Sequence, residues 1–138
     1  MMLLYLAQEI AECVALTQGV DITPTVELAP DIDLPKVKDL IIFVTPQNFE
    51  KEPDTRRSVK CDAVFNIGVA KKVCGQKDLE KMLRLVDDIG NDLMNRRLYS
   101  CQAIVSKIGH DPIYDARFIR EMNVFVSVIV VSVKVLKQ

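Results

Sequence analysis

A chain of 138 residues with 49% hydrophobic and 27% charged residues has the length of one domain and enough apolar content to bury one core. Eighteen Lys+Arg against nineteen Asp+Glu give a formal net charge of −1, which excludes a global field drawing the chain onto nucleic acid or an anionic membrane. No low-complexity tract or Pro+Gly excess marks it as disordered, so residues 1–138 read as a single domain.

Leu3, Leu6, Ala7, Ile10, Cys13, Val14 and Thr17 recur at helical spacing, with Gln8, Glu9 and Glu12 on the other side, and predict an amphipathic first helix. The stretch Met1–Ala7 has no basic n-region and runs into Glu9 and Glu12, so it reads as helix and not as a secretory signal. Gly19 is placed to end that helix in the left-handed conformation, and Thr23-Pro24 favours extended backbone before a short strand at Thr25–Leu28. Pro30, Asp31, Asp33 and Pro35 make an acidic connection into Leu40–Thr45, a β-branched and apolar strand closed by Pro46.

Gln47–Ser58 is polar and charged with no periodicity to bury and reads as a long exposed loop, residues 47–58, expected to order at least partly on contact with a partner. From Val59 the pattern alternates strictly: Val59, Cys61, Ala63, Phe65, Ile67 and Val69 fall on one face, Lys60, Asp62 and Asn66 on the other. After a turn at Gly75–Asp78, Leu79, Met82, Leu83, Val86, Ile89, Gly90, Leu93 and Met94 follow a 3.6-residue period, with Asp78 as the candidate N-cap. Glu80 with Arg84, and Asp92 with Arg96, are spaced for pairing on the solvent side.

Cys101–Ile108 reads as a strand, Gly109–Tyr114 as a turn and Asp115–Glu121 as a short turn or helix. The closing segment Met122–Leu136 is a strand with two apolar faces, Phe125, Ile129, Val131, Val133 and Val135 on one and Val124, Val126, Val128 and Val130 on the other. Its apolar run falls well short of the ~20 residues a membrane-spanning helix needs. A strand apolar on both faces must be covered on both, by helices, a second sheet or another subunit. The resulting fold class is α+β, a mainly antiparallel β-sheet packed with an N-terminal helix and a long central helix.

Four cysteines, Cys13, Cys61, Cys74 and Cys101, show no CxxC spacing. Cys13, Cys61 and Cys101 occupy core-type slots and read as buried, reduced thiols, which suits a reducing cytoplasm. Asp87, Asp88, Asp92, His110 and Asp111 are the sharpest metal candidates, but the aspartates fall on the polar stripe of a helix and nothing in the sequence fixes His110 beside them. A single His without a local signature argues against a thiol enzyme, and five scattered glycines form no phosphate loop. No metal, cofactor or catalytic residue is therefore expected. Lys51, Arg56, Arg57 and Lys60 form a local basic cluster, yet Glu50, Glu52, Asp54 and Asp62 interleave with it and no aromatics accompany it for stacking on bases. Such a loop suits either solvent or the polar part of a protein interface.

Several stretches carry a resemblance. Val37-Lys38-Asp39-Leu40-Ile41-Ile42-Phe43-Val44-Thr45-Pro46, then Phe65-Asn66-Ile67-Gly68-Val69 with Lys71-Lys72, then Asp111-Pro112-Ile113-Tyr114-Asp115, Arg120-Glu121 and Phe125-Val126-Ser127-Val128-Ile129 appear in that order. They resemble the first core strand, central strand, turn and final strand of the tail terminator and tail-completion proteins of long-tailed bacteriophages. That resemblance implies a structural virion protein of the tail or neck, assembled in the host cytoplasm. It also implies a homo-oligomeric ring, commonly a hexamer, that caps the tail tube, stops its growth and joins it to the head connector. DNA would pass through the lumen without specific binding. The partners implied are other copies of the chain, the tail tube protein and the head-tail connector protein, with no membrane. The candidate interface comprises Lys51, Arg56, Arg57 and Lys60 in the loop and Phe125 and Val126 on the final strand. The competing readings are another head-tail neck or minor tail protein, a small monomeric or dimeric regulatory binding protein, and an enzyme using the Asp87, Asp88, Asp92 and His110 cluster.

Overall fold

The computed structural model describes residues 2–53, 59–99 and 102–135. Its elements in chain order are helix α1 (Met2–Ala15), strand β1 (Thr25–Val26), β2 (Ile41–Pro53), β3 (Val59–Lys72), helix α2 (Gly75–Leu93), β4 (Arg97–Leu98), β5 (Ala103–His110), helix α3 (Ala116–Met122) and β6 (Val124–Val135). The strands form one six-stranded sheet in the order β1-β2-β3-β6-β5-β4. Every pairing is antiparallel except the short β1–β2 contact, so the α+β class with a mainly antiparallel sheet holds.

The period-two pattern of β3 decides which side of the sheet becomes core. Cys61, Ala63, Phe65, Ile67 and Val69 are buried together with Phe125, Ile129, Val131 and Val133 of β6. Against them pack Leu6, Ile10 and Val14 of α1 and Met82, Val86, Ile89 and Leu93 of α2, in one continuous cluster. The periodicity of α2 thus places its apolar stripe as expected, with two amendments: Leu85 is buried as well, and Met94 lies exposed beyond the last turn.

The N-terminus of α2 corrects the expected turn and cap. Gly75–Asp78 is already helical, and Cys74 occupies the cap position. Asp78 reaches back instead, its Oδ2 accepting the Cys74 N–H at 2.8 Å, which satisfies one orphan donor and places a carboxylate at the positive end of the helix. At the other end Arg96 Nε donates to the main-chain oxygen of Asp92 at 3.2 Å, satisfying a C-terminal carbonyl.

The largest departure is the segment expected to be a loop. Residues Gln47 to Pro53 continue β2, and Asn48 to Pro53 stand opposite Val64 to Val59 in the β3 ladder, while residues 54–58 lie outside the described part. Main-chain hydrogen bonds hold this extension and Phe49 packs against the core, while the mostly polar side chains around it carry no strand signal. Pro46 explains the break in the pattern: it cannot donate to a ladder, and the register shifts between Pro46 and Asn48. The extension is exposed except at Phe49, which is partly buried and packs against the core.

Gly68 marks a close approach on the side of the sheet away from the helices. A Cβ at this position would lie 2.2 Å from Phe43 Cζ, so the ring occupies the space a side chain would fill. Gly68→Ala is expected to cost about 1–3 kcal/mol by forcing the ring aside. Thermal or urea denaturation checks this, and in a Phe43→Ala background the same change should cost little.

Candidate functional site

The two faces of the sheet differ sharply. The helices cover one; the other is built from three cross-strand rows, Ile41–Ala70–Val126, Phe43–Gly68–Val128 and Thr45–Asn66–Val130, given by the registers of β2, β3 and β6. Ala70 and Val124, at one end, are buried with Val37, and Ile32, Leu34 and Met122 pack against them. The remaining rows are roofed by no helix among the described residues, and Val126, Val128 and Val130 are only half-buried. Between the 30–34 segment and the strands lies a cavity of about 170 Å³, bordered by Ile32, Leu34, Phe43, Asn66, Val126 and Val128.

Polar groups border this apolar floor. Thr45 Oγ1, Asn66 Oδ1 and Asp62 Oδ1 are shielded from solvent and have no hydrogen-bond partner among the described residues. An unsatisfied buried acceptor or hydroxyl costs on the order of 1–3 kcal/mol, so such groups are normally paired in the working state of a protein. An apolar centre edged by polar groups with spare hydrogen-bonding capacity is the anatomy of a protein-protein contact.

The outer edge of β2 is also open. β1 pairs with it only at Phe43 and Val44, and Pro46, Glu50, Lys51, Glu52 and Pro53 line the rest. Prolines and charges at such positions discourage indiscriminate strand addition.

The residues expected to form an interface are not brought onto one surface. Lys51 is exposed on the hairpin, its Nζ 5.2 Å from the centroid of the Phe49 ring. Lys60 stands opposite Glu52 in the ladder, and Arg56 and Arg57 fall outside the described residues. Val126 lies on the open face, but some nine ladder positions from Lys51, roughly 30 Å of strand. Phe125 is a correction. It is fully buried on the helix side, stacked 6.3 Å from Tyr114, because its neighbour Val126 takes the opposite face and alternation leaves Phe125 no access to a partner. The sequence reading passed over Ile41, Phe43, Thr45 and Asn66. The alternation of Ile41, Phe43 and Thr45 carried the signal, but only the register with β6 reveals that they share a face with Val126 and Val128.

Asp87, Asp88 and Asp92 are exposed on α2. Asp87 Oδ2 accepts from Asn91 Nδ2 at 3.4 Å. His110, which the sequence left unplaced, comes to the surface of the same helix: a Cβ on Gly90 would lie 3.7 Å from its Nε2. Among the described residues no three His, Cys, Asp or Glu side chains gather as a metal site would require.

Cys13 and Cys61 are buried thiols and Cys74 is an exposed one; Cys101 falls outside the described residues. Burial pushes the Cys13 thiol above its ordinary pKa, against the opposing pull of the nearby Arg96 guanidinium. The thiolate is the nucleophile, so alkylation of the native protein near neutral pH is expected to label Cys74 well before Cys13 or Cys61. Peptide mass spectrometry after a short iodoacetamide pulse checks the order.

No protein family's sequence profile matches the chain, and no curated protein matches it in sequence. Among solved structures, it is similar to a chain in the virion of the native gene transfer agent (GTA) particle. The sequence identity is 9% and the TM-score 0.47, and the match covers 91% of this chain and 83% of that chain.

Proposed function

We propose that the protein is a structural component of a phage-type virion, a tail terminator whose copies form a ring, sixfold by resemblance, that caps the tail tube and meets the head connector. The observation that carries the reading is the open sheet face. Ile41, Phe43, Val126, Val128 and Val130 form a half-buried apolar surface bordered by Thr45, Asn66 and Asp62 atoms that lack a hydrogen-bond partner among the described residues, and beyond the 30–34 segment at one end no helix among those residues covers it. Surfaces of that kind on a stable domain are contact sites. The ordered stretches that resemble tail terminators supply the identity of the assembly. Closed rotational symmetry would let one head-to-tail contact satisfy every subunit without an open fibre.

The test is to add the purified protein to polymerising tail tube protein and measure tube lengths by electron microscopy. A terminator shortens the tubes and decorates one end with a ring. Unchanged tube lengths with undecorated ends would contradict the terminator role and favour another neck component or a small regulatory binding protein.

A further inference from the structure

The outer side of α1 is not the polar face that an ordinary surface helix presents. Tyr5, Glu9 and Glu12 recur at i, i+4 and i+7 as one stripe along α1, and Leu16 follows in the turn just after the helix ends at Ala15. Tyr5 is 60% exposed and Leu16 78%. Tyr5, Gln8, Glu9 and Glu12 line a groove of about 300 Å³. The tip of the β4 turn is tied to the same stripe, because Tyr99 N–H donates to Glu9 Oε2 at 2.7 Å, and the Tyr99 side chain itself is 79% exposed. Exposed Tyr5, Leu16 and Tyr99 around two carboxylates give this side of the chain the mixed aromatic and polar composition of a contact surface.

The opposite charge lies at the far end of the sheet. Lys72 N–H donates to Lys38 O at 3.3 Å, which sets these two exposed lysines on neighbouring strands of chain. Lys72 follows Ala70 on the same face of β3, so this basic corner is continuous with the open apolar face. Asp39 adjoins Lys38 in sequence, and Lys72 is exposed at this corner. Leu98 of β4 pairs with Ala103, which pairs with Val135 and through it with Cys61, whereas Lys72 ends the same strand. Eleven residues of β3 therefore separate the acidic stripe's end of the sheet from the basic corner, roughly 35 Å of strand.

We infer that the open sheet face and its lysine corner are covered by the α1 stripe of a second copy of this chain. Lys72 enters the groove with its stem along Tyr5 and its ammonium against Glu12, while Tyr5 and Leu16 lie on the apolar rows. Complementary patches at opposite ends make the contact heterologous, the kind that builds rings. This inference rests on the ring reading above and names the contact within it.

Charge exchange tests it on the full-length protein. Sedimentation velocity is run across concentration, with and without tail tube protein, on wild type, Glu12→Lys, Lys72→Glu and the double variant, with circular dichroism to confirm that each is folded. Both positions are exposed and outside the core, so folding should survive. Each single reversal is expected to weaken assembly about tenfold or more, and the double variant to recover most of the loss. Wild-type assembly that neither reversal weakens, or single losses with no recovery in the double variant, would overturn this contact while leaving the ring reading intact. A wild-type chain that is monomeric under every condition would overturn both.

Discussion

Phe125→Ala is expected to cost about 3–5 kcal/mol, the range for removing a buried aromatic side chain. The ring is fully buried, lies in the cluster that joins both long helices to the sheet, and stacks on Tyr114. Its removal leaves a void at the start of β6, where the chain emerges from α3 through Asn123, held in the left-handed conformation at φ 56°. Single domains are stable by only about 5–15 kcal/mol, so the variant is expected to express poorly or to melt many degrees below wild type. Val126→Ala, one residue on, should cost far less in folding, because Val126 faces the half-open side. Denaturant titration of the two variants measures the contrast; equal losses would mean that the two faces of β6 are not distinguished as described.

The opposite separation is expected for Val128→Asp. Val128 sits in the Phe43–Gly68 row at the middle of the open face, so a carboxylate there would have to be desolvated by whatever covers it. Truncation or charge at the centre of an interface typically costs 2 kcal/mol or more, about thirtyfold in dissociation constant. The folding penalty should be smaller, since the free chain leaves this position partly solvated. Assembly is therefore expected to fail in a protein whose circular dichroism spectrum is that of wild type. If Val128→Asp and Val130→Asp together left assembly unchanged, the open face would not be a contact site.

These two variants also show what the sequence made legible. The period-two and 3.6-residue patterns located β3, α2 and β6, and divided the apolar residues of β6 correctly between two faces. They could not say which face the helices would take, so Phe125 was read as a contact residue although it is core. Gln47–Pro53 was missed because a ladder edge is held by main-chain groups that leave no trace in side-chain type. The α1 stripe was hidden for a related reason: Glu9 and Glu12 marked a polar face, while the exposure of Tyr5 and Leu16 beside them emerges only when the helix is docked. His110 reached the surface of α2 through the path of β5, which no local pattern encodes.

The proposed role is assembly of this chain with copies of itself around a tail tube. Light scattering across concentration, with the protein alone and mixed with tail tube protein, measures it most directly, supported by negative-stain images of the same samples. The predicted result is a ring of closed symmetry, sixfold by resemblance, populated at high concentration or in the presence of the tube. A strictly monomeric species in both samples, with no ring in the images, would contradict it.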